Sequence, residues 1–247
     1  DILGAFAKSG RPNLRVSQEV EAWIVRQARD EERIRLRRAY EQNVRSGAYP
    51  AQETKLPLLP YQREGMLHLA FTERALLADE MGLGKTAQAI AAVALLHRLG
   101  KVSRVLVVAP VSLKTEWEEQ IRLFSDLPYQ IVFGERSARK AAYEGAPFFT
   151  LANYEQILRD EALVNAVLKP DCVILDEAQR IKNWDTQTAQ AVKRLQSRYA
   201  FVLTGTPLEN RIDELYSLMS ILDPQVLGPL FRFNREFYVL NASGRPE

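Results

Sequence analysis

This sequence has one cysteine, little excess charge of either sign and no long apolar run. Each of these scarcities excludes a class of structure or binding surface. Cys172 is the only cysteine among 247 residues, so no disulfide can form within the chain. It starts an apolar run, which favours a small buried core residue. No apolar run approaches the roughly 20 residues that a membrane-spanning helix needs, so no membrane partner is expected. The 33 basic residues nearly balance the 31 acidic ones, so any nucleic-acid surface must be a local patch.

Targeting signals, internal repeats and low-complexity segments are also not visible. The chain opens with Asp1 instead of Met, which suggests a trimmed fragment. A missing signal peptide therefore says little about location.

The first 48 residues are rich in charge and helix formers, and they predict a helical extension. Val20, Trp23 and Ile24 follow a helical spacing, Ser17 is a candidate N-cap, and Gly47 is a candidate stop. Arginines crowd residues 33–38 among acidic neighbours. Two interpretations stay open for them: a solvated helix face, or a surface that docks nucleic acid or a partner.

From residue 56 onward, short apolar runs alternate with amphipathic stretches. This alternation predicts an α/β fold, a doubly wound and mostly parallel sheet that forms a domain over residues 49–247. Strands are predicted at residues 75–79, 104–109, 130–133, 147–151, 172–176 and 200–204. Helices are predicted at residues 86–99, 113–124, 137–143, 154–159 and 186–196. Ligands of such sheets bind at the carboxyl ends of the strands, where the polar motifs of this chain fall.

The first motif is DEMGLGKT at residues 79–86, between a predicted strand and a predicted helix. Gly82 and Gly84 allow backbone N–H groups to turn toward phosphate oxygens, and the helix N-terminus adds partial positive charge. Lys85 supplies a point charge for the outer phosphates, and Thr86 a hydroxyl for Mg²⁺. A strict phosphate loop has glycine where Asp79 stands. These residues predict a site for the phosphates of a nucleotide together with Mg²⁺.

The second motif is VILDEAQ at residues 173–179, an apolar strand that ends in two carboxylates. Neighbouring residues on a strand point to opposite faces, so the two carboxylates can have different roles. We expect Asp176 to hold Mg²⁺ and Glu177 to orient and deprotonate the attacking water.

The third motif is LTGTP at residues 203–207. Two interpretations remain open for Thr204, Gly205 and Thr206: a sensor that relays loss of the γ-phosphate, or an ordinary turn.

Taken in order, five segments resemble the Swi/Snf-type family, double-stranded-DNA translocases among the superfamily-two helicase-like ATPases. They are LPYQREG (59–65), DEMGLGKT, VVAPVSLKTEW (107–117), DEAQRIKN (176–183) and LTGTPLEN (203–210). The resemblance covers about residues 56–240, and Asp79 is the family's own form of the loop. Gln179 departs from the family, which usually has histidine there; glutamine can still form a hydrogen bond toward Thr204.

The resemblance implies further roles by position. The fold would be a RecA-like lobe, Gln62 would read the adenine edge, and Gln179 would couple ATP to the third motif. The implied nucleotide-binding residues are Gln62, Asp79, Met81, Gly82, Leu83, Gly84, Lys85, Thr86 and Gln179. The implied DNA contacts, to phosphates and not to bases, are Ser112, Leu113, Lys114, Thr150, Tyr154, Arg180, Lys182 and Asn183.

Motors of this family have two RecA-like lobes, and the resemblance implies that the second lobe, with its arginine fingers, is absent from this chain. The chain should then bind Mg²⁺–ATP, hydrolyse it poorly and bind duplex DNA weakly. An intracellular location is implied: cytoplasm or nucleoid in a bacterium, nucleus in a eukaryote. Two alternatives stay open, an RNA helicase-like ATPase and a catalytically silent interaction module.

Overall fold

The computed structural model describes residues 17–181, 186–205, 212–224, 226–228 and 230–237. The chain divides into two compact units between Tyr49 and Pro50. In the described part of the chain, no helix is both long and apolar enough to cross a membrane.

The described residues of the first unit, 17–49, contain one long helix, α1 (Gln18–Arg45). Ser17 caps it as predicted, because its side chain accepts a hydrogen bond from the Val20 N–H. Gly47 adopts a positive φ of 77° after the last turn, a conformation that favours glycine. Arg33 pairs with Asp30 and Arg37 with Glu41 along the helix, as a solvated face interleaved with acidic residues requires.

Where it is described, the second unit contains a six-stranded sheet, parallel throughout, in the order β1-β6-β5-β2-β4-β3. The strands are β1 (Arg74–Leu77), β2 (Val105–Val108), β3 (Tyr129–Ile131), β4 (Phe149–Ala152), β5 (Cys172–Leu175) and β6 (Tyr199–Leu203). All residues of the four central strands are buried, which explains why these segments are apolar runs without alternation. Cys172 is part of this core.

The helices of this unit are α2 (Pro60–Thr72), α3 (Lys85–Arg98), α4 (Lys114–Phe124), α5 (Arg136–Gly145), α6 (Tyr154–Leu163), α7 (Gln187–Lys193), α8 (Ile212–Leu222) and α9 (Leu230–Phe237). Connections through α3 and α4 run toward the β3 edge of the sheet, and those through α5, α6 and α7 run back toward β1. Since crossovers between parallel strands are right-handed, these two groups of helices lie on opposite faces. The predicted doubly wound α/β fold is thereby confirmed.

The element boundaries differ from the predicted ones mainly in the second half of the chain. α6 reaches Leu163 and continues as a π-helical turn, Val164–Leu168, because Ile157, Val164 and Leu168 bury one continuous apolar stripe. Helices α2, α8 and α9 were not predicted. All six strands, by contrast, were predicted to within two residues of the observed ends.

Candidate nucleotide site and nucleic-acid interface

The phosphate-loop motif lies between β1 and α3, at the carboxyl edge of the sheet. Gly82 and Gly84 have φ angles of 83° and 72°, which residues with a side chain rarely adopt. The Lys85 ammonium donates to the carbonyl oxygens of Asp79 at 2.8 Å and Glu80 at 2.9 Å. The loop therefore encloses its own lysine and places one positive charge at the start of a helix, where an anionic ligand is favoured.

Gln62, at the start of α2, contacts the same loop. Its amide N–H donates to the Leu83 carbonyl at 3.3 Å, and its amide oxygen accepts from the Leu59 N–H at 3.0 Å. A side chain at Gly84 would have its Cβ 2.5 Å from the Gln62 Nε2 atom. Gln62 thus lies directly against the loop, as a residue that contacts the nucleotide must; the adenine assignment stays a prediction.

Gln88 is a functional candidate that the sequence analysis missed. It is fully buried on α3 and donates both to the Asp79 carboxylate, at 3.1 Å, and to the Leu83 carbonyl, at 3.2 Å. Gln88 and Gln62 therefore hold the loop through the same carbonyl. The arrangement also gives Asp79 a role that glycine could not fill, because its carboxylate ties the loop to α3. A long polar residue in the alanine-rich stretch after Lys85 was the available signal.

Gly65 leaves the space that Gln88 needs. A Cβ at Gly65 would lie 1.7 Å from the Gln88 amide oxygen, which is impossible without displacing that side chain. This oxygen has no hydrogen-bond partner among the described residues. Helix α2 therefore packs so closely on α3 that only glycine fits at this contact.

The two carboxylates follow β5, beyond its last residue, and have different surroundings. Asp176 is only 6% exposed; its Oδ2 accepts from the Trp117 indole N–H at 2.7 Å and its Oδ1 from the Glu177 N–H at 2.9 Å. Burial raises the pKa of Asp176, and these two hydrogen bonds oppose that rise. Glu177 is half-buried and has a φ of 49°, a strained conformation for a residue with a side chain and one that is common at functional sites.

The third motif is joined to the second by side-chain hydrogen bonds. The Gln179 amide donates to the Glu177 carboxylate and accepts from the Thr204 hydroxyl at 2.9 Å. A Cβ at Gly205 would lie 2.7 Å from Met81 Cγ and 3.7 Å from Lys85 Nζ, so this motif also reaches the phosphate loop. The hydrogen bond expected between Gln179 and Thr204 is present, and the coupling role of Gln179 stays a prediction. Thr206 lies outside the described residues.

The residues at this edge fit Mg²⁺ bound together with a nucleotide. The described part of the chain contains no group of three or more His, Cys, Asp or Glu side chains that could hold a metal unaided. Magnesium commonly uses one or two carboxylates and takes its other ligands from water and substrate phosphates. Asp176 and the Thr86 hydroxyl are donors of that kind.

The six described DNA-contact residues carried over from the resemblance divide into two groups. Ser112 and Arg180 are exposed at the carboxyl edge and Leu113 is half-buried, so these three can meet a ligand. Lys182 and Asn183 lie outside the described residues.

The other three predicted DNA contacts point into the protein, which is a correction to the sequence analysis. The Lys114 ammonium, only 8% exposed, donates to the Val132 carbonyl and to the Gln156 side chain, both at 2.9 Å. Tyr154 is buried and its hydroxyl donates to the Asp176 carbonyl at 2.7 Å. Thr150 is fully buried in β4. In this structure none of these three side chains can touch a phosphate backbone, because the protein itself surrounds them.

Comparison with known proteins agrees with this geometry. Residues 61–245 match the model of the SNF2-related domain. The chain is 33% identical over 217 residues to the CHD3-type chromatin-remodeling factor PICKLE of Arabidopsis thaliana. This match covers 74% of this chain and 16% of that protein. It is 34% identical over 200 residues to chromodomain-helicase-DNA-binding protein 8 of Danio rerio, covering 73% and 8% of the two chains.

A solved structure shows the same fold. The Sulfolobus solfataricus SWI2/SNF2 ATPase core in complex with dsDNA superposes with a TM-score of 0.68 and is 36% identical. The match covers 75% of this chain and 40% of that core. The chain therefore spans less than a fifth of the curated relatives described above and under half of the solved ATPase core.

Proposed function

The chain belongs to the SNF2-related domain family, and we propose that it is the first ATP-binding lobe of a double-stranded-DNA translocase. In this proposal it couples hydrolysis of Mg²⁺–ATP to movement along DNA or to remodelling of DNA-bound protein. The second RecA-like lobe comes from another part of the same natural protein, and the division near residue 49 separates the lobe from a helical extension.

One observation carries the proposal: a chain of contacts runs through all three motifs. Glu177, Gln179 and Thr204 are joined by hydrogen bonds, and Gly205 lies against the loop that encloses Lys85. ATP hydrolysis requires a general base beside a phosphate loop. A third motif connected to both would allow loss of the γ-phosphate to be relayed.

The residues would act as follows. Backbone N–H groups at Gly82 and Gly84, with the Lys85 ammonium, bind phosphate oxygens. The Glu177 carboxylate, oriented by Gln179, takes a proton from the attacking water. Asp176 and Thr86 would hold Mg²⁺, which neutralises charge on the phosphate oxygens when it is bound.

Duplex DNA is the proposed partner because the S. solfataricus core of the same family was solved in complex with dsDNA. Exposed Ser112 and Arg180 stand at the same edge as the nucleotide residues. Contacts of this kind are few and go to phosphates, so residues 1–247 should bind duplex weakly, at ~10⁻⁴–10⁻⁶ M, regardless of sequence and with strong salt dependence.

Steady-state ATPase assays on the whole natural protein and on residues 1–247, each with duplex DNA, duplex RNA or neither, test the proposal. We expect duplex DNA to stimulate the whole protein and residues 1–247 to stay nearly inactive, because arginine fingers are worth about 10³–10⁵ in rate. Stimulation by RNA alone would identify an RNA helicase-like ATPase. A whole protein without ATPase activity would identify a silent interaction module. Strong DNA-stimulated turnover by residues 1–247 would place the essential arginines within them.

A further inference from the structure

Asp176 is fixed by hydrogen bonds at all four of its polar atoms, and each bond has a different partner. Its N–H donates to the Val108 carbonyl of β2 at 2.9 Å, and its carbonyl accepts from the Tyr154 hydroxyl of α6 at 2.7 Å. Its two carboxylate oxygens accept from Trp117 of α4 and from the Glu177 N–H. Two buried aromatic residues on two different helices thus hold the backbone and the carboxylate of one metal-ligand candidate.

The hydrogen bonds leave the carboxylate able to act. Each carboxylate oxygen can accept more than one hydrogen bond, so one bond apiece leaves lone pairs for a hydrated metal ion. The bonds restrict rotation of the carboxylate and select which lone pairs remain. In a buried setting such contacts are strong, because water does not compete for the same atoms.

The same two helices begin in the segments that were assigned to DNA. α4 begins at Lys114, two residues after exposed Ser112, and Trp117 lies one turn further along. α6 begins at Tyr154 itself.

The first turns of these helices are also joined to each other. The Lys114 ammonium donates to the Gln156 amide oxygen, and both side chains donate to the Val132 carbonyl, all at 2.9 Å. A ligand that shifts the start of α4 therefore acts on α6 as well, and both carry a residue bonded to Asp176.

We propose that Trp117 and Tyr154 are positioning residues that couple the start of α4, next to exposed Ser112, and the start of α6 that is joined to it, to the orientation of the Asp176 carboxylate. The coupling rests on the proposed function, since it requires DNA at this edge. It gives buried Lys114 and Tyr154 a role in responding to DNA without touching it. Two elements that both contact one site can transmit a change of binding free energy between ligands.

The test uses Trp117→Phe and Tyr154→Phe in the whole natural protein. Tyr143→Phe is the matched control, because Tyr143 is also buried and its hydroxyl bonds to a carboxylate, that of Asp160. The first readout is binding of a fluorescent ATP analogue in EDTA and in Mg²⁺. We expect the affinity gained from Mg²⁺ to fall ~10-fold in Trp117→Phe and less in Tyr154→Phe, as when the partner of a metal ligand is removed. Affinity in EDTA should stay unchanged, and Tyr143→Phe should alter neither value.

The second readout is the ratio of kcat with duplex DNA to kcat without it. This ratio should fall in both variants and stay unchanged in Tyr143→Phe. An unaltered Mg²⁺ gain in both variants overturns the positioning role. Equal losses of basal and DNA-stimulated turnover overturn the coupling, since a purely structural defect lowers both alike. If Trp117→Phe does not fold, Tyr154→Phe, which removes a hydroxyl and little volume, decides the matter by the same two readouts.

The two readouts also separate this inference from the proposed function. A wild-type protein that DNA does not stimulate would contradict the proposed function and the coupling with it. The Mg²⁺ gain would still decide whether Trp117 and Tyr154 position Asp176.

Discussion

The two halves of the sheet's carboxyl edge use polar side chains in different ways. In the half formed by β1, β6 and β5, candidate site residues form hydrogen bonds with residues of the same motifs. Lys85 bonds to carbonyl groups of its own loop, and Gln179 bonds to Glu177 and Thr204. In the half formed by β2, β4 and β3, buried Lys114 donates to the Val132 carbonyl and to the Gln156 amide oxygen. The first half is arranged as a ligand site, whereas the second is arranged as a support for the helices that begin there.

The difference shows what kind of evidence locates a ligand contact. Residues assigned from their own chemistry, such as a lysine after glycines or a carboxylate pair after a strand, lie at the carboxyl edge of the sheet, and their roles stay predictions. Residues assigned by position in a family pattern lie on the right elements, but Thr150 and Tyr154 are buried. Position in the pattern identifies the element, and only burial decides which side chain faces outward.

The largest expected effect lies in the first half, in Glu177→Gln. The variant keeps size and hydrogen bonding but removes the base, so kcat of the DNA-stimulated whole protein should fall by ~10²-fold or more. Binding of ATP should be retained, which a titration with a fluorescent nucleotide checks. Near-normal turnover would show that another group activates the water.

A pair of nearly buried lysines, one in each half, gives the next largest effect. Lys85→Ala should weaken Mg²⁺–ATP binding by ~10-fold or more, the scale of a hydrogen bond to a charged group. Lys114→Met should leave nucleotide affinity within about twofold and lower the free energy of unfolding, since the Val132 carbonyl and the Gln156 amide oxygen each lose one of two hydrogen bonds. Nucleotide titration of both variants measures the affinities, and urea unfolding measures the free energies of unfolding. Loss of DNA binding in a stably folded Lys114→Met protein would restore Lys114 as a DNA contact.

Two buried threonines sharpen the comparison at a smaller scale. Thr204→Val leaves the Gln179 amide oxygen without its hydroxyl donor and should lower the free energy of unfolding by about 1–3 kcal/mol. Thr150→Val should be neutral or slightly stabilising, because the Thr150 hydroxyl has no partner among the described residues. Urea unfolding of both variants at the same pH measures the two changes in the free energy of unfolding. Equal losses in the two variants would mean that the Thr204 bond contributes nothing of its own.

The smallest expected effect is a pH dependence in the second half. Burial lowers the pKa of Lys114 from 10.5 to about 8. Between these pH values the unfolded chain holds a proton that the folded chain has released, so stability attributable to Lys114 rises with pH across that window. Below pH 8 both states are protonated and the cost of burying the charge is fully present. The neutral amine keeps two N–H donors, enough for both of its acceptors.

The measurement is the free energy of unfolding at pH 7.5 and pH 9.5 for wild type and Lys114→Met. Wild type should gain more stability with pH than the variant does. Parallel behaviour of the two proteins would mean that Lys114 titrates outside this window.

Much of the fold was predictable because the central strands are covered on both faces. Burial on both sides forces apolar runs such as residues 172–175, and the helices between them must be amphipathic. The phosphate loop was predictable for a local reason: the positive φ angles of Gly82 and Gly84 require glycine. The end of α6 was not predictable, because the π-helical turn that follows it depends on what residues 164–168 pack against.

The sequence by itself determined the α/β class, the strands, the loop around Lys85 and the roles open to Asp176 and Glu177. These follow from local rules of backbone geometry, burial and side-chain chemistry, which act over a few residues. Only the tertiary structure decided that Gln88 anchors the loop, that Trp117 and Tyr154 hold Asp176, and that Lys114 faces inward. Each of these contacts joins an acceptor to a donor on another element or on a different turn. No local pattern specifies which buried donor will meet which acceptor once the elements pack.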